Sequence, residues 1–151
     1  MKVRAIAFGV VGVAACVSVL SVLVIPWGWY GTISISAWRL PYWGLHLVAV
    51  AVAYACALWT LLTSPKRISA LVLAAAAGVL VVGATVFVAL GYNNASALFD
   101  EWIPMVNPRL GSGPFVAALA ALAALAAGAL GAGKRPQNDR SAIGVGARAV
   151  S

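Results

Sequence analysis

Few residues of this 151-residue chain are of types that carry out chemistry, and they are widely spaced. The one histidine, His46, could titrate near neutral pH or bind a metal, but no carboxylate or further ligand accompanies it. Asp100 and Glu101 are sequence neighbours, a geometry unsuited to two carboxylates facing each other across a substrate. Cys16 and Cys56 are not spaced as a redox pair. We therefore predict no catalytic residue, no metal site and no cofactor, and a chain that is not an enzyme.

The composition is typical of a protein that is surrounded by lipid. Hydrophobic residues make up 64% of the chain and charged residues only 9%, with a mean hydropathy of +1.01. A soluble domain usually carries about a quarter charged residues, and a chain this short cannot bury so much apolar surface. The net charge of the chain is +7. Its basic residues are not interleaved with aromatic residues as on a nucleic-acid-binding surface, so we expect them to face anionic lipid headgroups and no nucleic acid.

Four apolar stretches are long enough to cross a hydrocarbon core about 30 Å thick, which takes roughly 20 helical residues. None has a charged residue beyond its first positions, and helices satisfy every backbone polar group within lipid. The sequence thus predicts an all-α membrane protein, a four-transmembrane-helix bundle within residues 1–133, followed by a basic, disordered cytoplasmic tail at 134–151. The spans run from about 3 to 25, 45 to 63, 69 to 91 and 114 to 133.

The positions of Lys and Arg predict the orientation of the bundle. Eight basic residues lie on one side and two on the other, which places both termini in the cytoplasm and leaves two extracytoplasmic loops. The eight are Lys2, Arg4, Lys66, Arg67, Lys134, Arg135, Arg140 and Arg148, and the two are Arg39 and Arg109. Most of the tryptophans fall in or beside the same two loops, where their rings favour the headgroup layer.

The second outer loop contains a pattern typical of a short interfacial helix. Between Ser96 and Ile103 the apolar residues fall on one helical face, with Asp100 and Glu101 directed elsewhere. A solvated loop is the alternative. We further predict that Arg39 or Arg109 pairs with one of these two acids, since they are the opposite charges of that side.

In the first outer loop, residues 32–37 alternate polar and apolar side chains, the period of a β-strand. A lone strand is unstable, so it would need a mate in the other loop, in a second copy or in a partner protein. We favour an irregular loop here, because six residues alternate by chance fairly often. His46, near the outer end of the second span, is expected to be an interfacial, hydrogen-bonding residue.

Two further patterns leave alternatives open. Residues 13–16 have the form of a lipoprotein cleavage site, which would leave Cys16 lipidated, although the apolar residues that follow favour an uncleaved first span. The spacing Ala124-x3-Gly128-x3-Ala132 allows helix backbones to approach closely. Packing within the bundle is the expected use of these small residues, and an interface with a partner is the alternative.

The arrangement resembles, in its architecture, the uncharacterised four-span membrane proteins of high-GC actinobacteria. That resemblance implies the plasma membrane of such a bacterium as the location, and it implies no activity. The matching features are Pro26-Trp27, Ser36-Ala37-Trp38, Leu40-Pro41, the basic turn Lys66-Arg67 and Gly111-x-Gly113 before an Ala/Leu-rich last span.

The sequence therefore favours an integral membrane interaction or accessory subunit of a larger envelope or membrane complex, without catalytic activity of its own. The alternative is a homo-oligomeric transporter or channel for small neutral or lipid-like solutes. We expect contact with the bilayer and either a membrane-protein partner or self-association. The candidate interaction residues are Trp27, Trp29, Trp38, Trp43, Trp102, Arg39, Asp100 and Glu101.

Overall fold

The computed structural model describes residues 2–94, 98–99 and 105–132, of which 76% are helical. Four helices in this part of the chain are long enough and apolar enough to cross a membrane. The ends of these helices lie within two residues of the ends of the predicted spans. The prediction of a mostly helical bundle with four long apolar helices is confirmed. The helices are α1 (Lys2–Leu23), α2 (Trp43–Thr63), α3 (Arg67–Leu90) and α4 (Gly113–Gly131).

The helix ends have local causes in the sequence. Helix α2 stops at Thr63 because Ser64 adopts a left-handed conformation, with φ of 48°, and Pro65 cannot continue the helical hydrogen bonds. Helix α4 begins after Ser112 and carries Pro114 in its first turn, where the missing proline N–H costs nothing. The connection between α2 and α3 is consequently short.

Helix α4 occupies the centre of the bundle and packs against each of the other three helices. Its inner face is built from alanines that are fully buried, among them Ala117, Ala121 and Ala124. At Gly128 the backbone of α2 comes so close that a Cβ atom would lie 2.9 Å from Cα of Ala57. The small-residue spacing of α4 therefore serves packing inside the bundle, as expected.

One end of the bundle is basic, and we call it the basic end. There the guanidinium of Arg4 in α1 donates hydrogen bonds to the carbonyl oxygens of Leu61 and, at 3.1 Å, Leu62, in the last turn of α2. A cation at a helix C-terminus satisfies carbonyls that have no partner within the helix. Lys66, in the turn between α2 and α3, and Arg67, the first residue of α3, lie at the same end.

The opposite end, the cap end, carries a small antiparallel sheet. Its strands β1 (Gly28–Tyr30) and β2 (Ile33–Ile35) belong to the loop between α1 and α2, and β3 (Pro108–Leu110) belongs to the loop between α3 and α4. The order of the three strands in the sheet is β2-β1-β3. The prediction of an irregular loop for residues 32–37 is therefore wrong. The mate of β2 is a strand of its own loop, and the second loop contributes the third strand.

Candidate functional site

The exposed face of the sheet presents one row of three side chains from two separate loops. Because successive side chains of a strand point to opposite faces, Trp29 is exposed while Gly28 and Tyr30 face the bundle. The cross-strand partners of Trp29 are Ser34 on β2 and Arg109 on β3. Both partners are also exposed, and we refer to Ser34, Trp29 and Arg109 as the outer row.

A tight turn sets the register of the first two strands. Gly31 and Thr32 connect Tyr30 to Ile33, which are paired residues. Gly31 has φ of +61°, in the left-handed region that glycine adopts without steric cost. Two-residue turns with positive φ match the natural twist of a hairpin, so this turn places Ser34 opposite Trp29.

Trp27 anchors the sheet to the helices. Its side chain is fully buried, and its indole N–H donates to the backbone carbonyl of Ser21 in α1 at 3.0 Å. Its backbone N–H donates to the carbonyl of Ile35, and its carbonyl accepts from the N–H of Gly111. Trp27 was predicted as an interaction residue, but in this structure it is part of the core, because its ring fills the space beneath the sheet.

The start of α4 touches this anchor directly. The Ser21 hydroxyl donates to the carbonyl of Gly113 at 2.8 Å, and the N–H of Gly113 donates to the carbonyl of Pro26 at 2.9 Å. A Cβ atom on Gly113 would overlap the Trp27 ring, and one on Gly111 would overlap the Pro26 carbonyl. The two glycines of the Gly111-x-Gly113 motif are thus needed for close approach between the two loops.

Tyr30 forms a second connection between the two loops. Its hydroxyl donates to the backbone carbonyl of Tyr92 at 2.6 Å, and its ring meets Phe99 edge-on with centroids 5.1 Å apart. Burial, with a smaller contribution from Tyr92, raises the pKa of the Tyr30 phenol above its ordinary value of 10.0. The phenol therefore stays protonated and keeps its hydrogen bond throughout the neutral range.

Other predicted residues lie around the rim of the cap. Trp38 is half exposed, and the Arg39 guanidinium lies over its ring, 5.4 Å from the centroid. Trp43 is the first residue of α2 and is also exposed. These three follow β2 along the chain and are not members of the outer row.

The remaining predicted residues, Asp100, Glu101 and Trp102, lie outside the described residues. The ion pair that we predicted for Arg39 or Arg109 with one of these acids stays a prediction, as does the interfacial helix. Of that segment the structure describes Leu98 and Phe99, which pack partly buried against the core beneath the sheet.

His46 differs from its sequence-based interpretation. It forms a hydrogen bond, as expected, but it is only 1% exposed and lies inside the bundle rather than at its surface. Its Nδ1 lies 3.1 Å from the hydroxyl oxygen of Thr85 in α3, and its ring meets Trp27 edge-on at 4.9 Å. Sequence reasoning missed Thr85 and also Ser34, although Ser34 stands in the middle of the alternating pattern.

In the described ranges no group of three or more His, Cys, Asp or Glu side chains is placed to hold a metal ion. Comparisons of the chain with protein families, curated proteins and solved structures found no match. The architectural resemblance to actinobacterial four-span proteins therefore stays a prediction.

Proposed function

We propose that this protein is a small multi-pass membrane subunit that docks onto a larger membrane or envelope complex through the outer row of its cap, and that it catalyses no reaction itself. The observation that carries this proposal is the outer row, in which Trp29 stands between Ser34 and Arg109 on an exposed sheet face. Tryptophan and arginine are the side chains most enriched among residues that dominate binding energy.

The rigidity of the cap supports the same proposal. The sheet is joined to α1 and α4 through the buried Trp27, and to the end of α3 through the hydrogen bond between Tyr30 and Tyr92. A surface that is already ordered loses less conformational entropy when it binds. The fold therefore presents Trp29 and Arg109 in a geometry that a partner can use without rearrangement.

The proposed location is the plasma membrane of a bacterium, with the cap outside the cell and both chain termini in the cytoplasm. This orientation follows from the excess of Lys and Arg at the basic end, in the turn at Lys66 and Arg67 and in the C-terminal segment. A reporter tag fused after Ser151 is expected to be inaccessible from outside intact cells. Labelling of that tag in intact cells would overturn the orientation.

The composition of the spans supports the proposal that the protein catalyses no reaction. Ionisable groups within lipid are costly and are typical of pumps and membrane enzymes. Apart from the first residues of α1 and α3, the four helices contain no Asp, Glu, Lys or Arg. A binding role needs no such group, since the outer row lies beyond the helix ends.

The test is a comparison of two matched double variants of the tagged protein, purified in mild detergent from its own host. The outer-row variant Trp29→Ala/Arg109→Ala is expected to co-purify with at least about tenfold less of a stoichiometric partner protein than the wild type does. This is the scale of a lost hot-spot contact. The control Trp59→Ala/Arg67→Ala removes the same residue types at the basic end, where Trp59 is half exposed. Equal retention by both variants, or recovery of the wild type as a lone monomer, would overturn the proposal.

A further inference from the structure

An apolar groove follows the line along which α1 packs against α4. It is open to the surroundings and has a volume of about 650 Å³. Its walls run from Ile6 to Val17 on α1 and from Val116 to Ala123 on α4, and every residue that lines it is apolar. In a bilayer such a groove is suited to a hydrocarbon chain.

Gly9 leaves room in the α1 wall of this groove. A Cβ atom added at Gly9 would meet no neighbouring atom within 4 Å. On the same wall, Val10 and Val13 are largely exposed. The wall therefore offers apolar surface, and space beside it, to an elongated occupant.

The length of the groove matches one leaflet of a membrane. The distance along α1 from Ile6 to Val17 is about 16 Å at a rise of 1.5 Å per residue. Half of a hydrocarbon core about 30 Å thick is about 15 Å. Because Ile6 lies near the start of α1, at the basic end, the groove spans the leaflet on that side. One extended acyl chain of that leaflet has the length to fill it.

A lysine continues the α1 wall at the basic end. Lys2 precedes Ile6 by four residues, and residues four apart lie on the same face of a helix. Lys2 is exposed and lies in the first turn of α1, where the helix dipole also favours a negative charge. The described part of the chain contains no Asp or Glu, so no carboxylate there neutralises this lysine.

We infer that the groove binds one acyl chain of an anionic phospholipid, such as phosphatidylglycerol, with the lipid phosphate at Lys2. An anionic phospholipid joins an apolar chain to a negative charge, which matches the apolar wall and the lysine at its end. A zwitterionic phospholipid carries its own cation beside the phosphate and gains less from Lys2. The inference needs the helices to cross a membrane, but it does not depend on the docking proposed for the outer row.

A second copy of the chain is a less suitable occupant. Two copies related by a twofold axis along the membrane normal would meet through identical surfaces, so this groove would bring their Lys2 side chains together. Like charges repel strongly beside a medium of low dielectric constant. An anionic headgroup is attracted to the same place.

The test is native mass spectrometry of the protein released from mixed micelles that contain equal amounts of phosphatidylglycerol and phosphatidylcholine with identical acyl chains. The first lipid retained by the wild type is expected to be phosphatidylglycerol, preferred by at least about fivefold, the scale of one lysine at an anionic headgroup. Lys2→Gln should bring the two lipids close to parity. Lys66→Gln removes the same charge from the turn between α2 and α3 and should keep the preference.

A pair of leucine variants tests the groove itself. Gly9→Leu places a side chain in the groove and should largely remove the first retained lipid. Gly12→Leu is the matched control, because Gly12 is exposed on the same helix, does not line the groove and also has nothing within 4 Å of an added Cβ.

Three results would each overturn the inference. They are equal retention of the two lipids by the wild type, an equal loss of preference in Lys2→Gln and Lys66→Gln, and equal lipid retention by Gly9→Leu and Gly12→Leu. The first two comparisons involve only the wild type and exposed side chains, so they decide the matter even if Gly9→Leu disturbs α1.

Discussion

Trp29 lies directly opposite Arg109 in the antiparallel pairing of β1 with β3, although the two residues belong to different loops. Their juxtaposition joins the loop that follows α1 to the loop that precedes α4. Ser34 reaches the other side of Trp29 through a hairpin within the first loop. The proposed docking surface therefore exists only when both loops are folded together.

Engineered cysteines test this pairing. Directly paired residues have Cα atoms about 4.5–5.5 Å apart, which suits a disulfide, whereas Ser34 and Arg109 are two strand spacings apart, about 9.5 Å. In a background without Cys16 and Cys56, the pair Trp29→Cys/Arg109→Cys should oxidise readily to an intramolecular disulfide, and Ser34→Cys/Arg109→Cys should not. Intact mass after mild oxidation measures both. Equal oxidation of the two pairs would contradict the register.

The contact between α4 and α2 at Gly128 predicts a large effect of one methyl group. In Gly128→Ala the new Cβ would approach the Ala57 backbone and lie about 2.8 Å from the Thr60 hydroxyl oxygen. Overpacking of this kind costs about 1–3 kcal/mol, so thermal unfolding in detergent should begin at a lower temperature. Gly83→Ala in α3 is the control, because nothing lies within 4 Å of its added Cβ. A Gly128→Ala protein as stable as Gly83→Ala would show that the helices are further apart.

The hydrogen bonds from Arg4 to the end of α2 predict that this side chain stabilises the basic end of the bundle. Arg4→Gln should lower the free energy of unfolding by about 1 kcal/mol, less than a buried charged hydrogen bond because the side chain is partly exposed. Arg67→Gln removes an equal charge from an exposed position at the same end and should change stability little. Chemical unfolding in mixed micelles compares the two. If both variants lost the same stability, net charge would be the cause and the contact with α2 would not.

Tyr30 predicts a loss of stability in alkali. Burial raises the pKa of Tyr30 above the unfolded value of 10.0. The contribution of Tyr30 to the free energy of unfolding is therefore complete below pH 10 and is lost as the pH rises through the raised pKa. Tyr30→Phe should be less stable than the wild type at pH 8, by about 1 kcal/mol for one hydrogen bond, and should lose less on going to pH 12. Tyr42→Phe, at an exposed residue, should match the wild type at both pH values. Melting curves followed by tryptophan fluorescence provide the measurement, and an alkaline loss in Tyr30→Phe as large as in the wild type would contradict the assignment.

Part of the site could be read from residue types and part could not. The clustering of tryptophans in two loops pointed to the cap end, and Trp29, Trp38 and Trp43 are exposed there. The same reasoning grouped Trp27 with them, whereas the structure buries it. A tryptophan beside a span has the same local sequence signal whether its ring lies over the headgroups or beneath a sheet, so composition alone cannot separate the two.

The lengths and ends of the four helices are determined by the sequence alone. An apolar run of sufficient length must satisfy its own backbone groups as a helix, and its stop signals, such as Ser64-Pro65, act over a few neighbouring residues. Only the tertiary structure decides the sheet between the loops, the central position of α4 and the pairing of His46 with Thr85. Those features join residues that are tens of positions apart, and local patterns carry no information about which distant segments pack together.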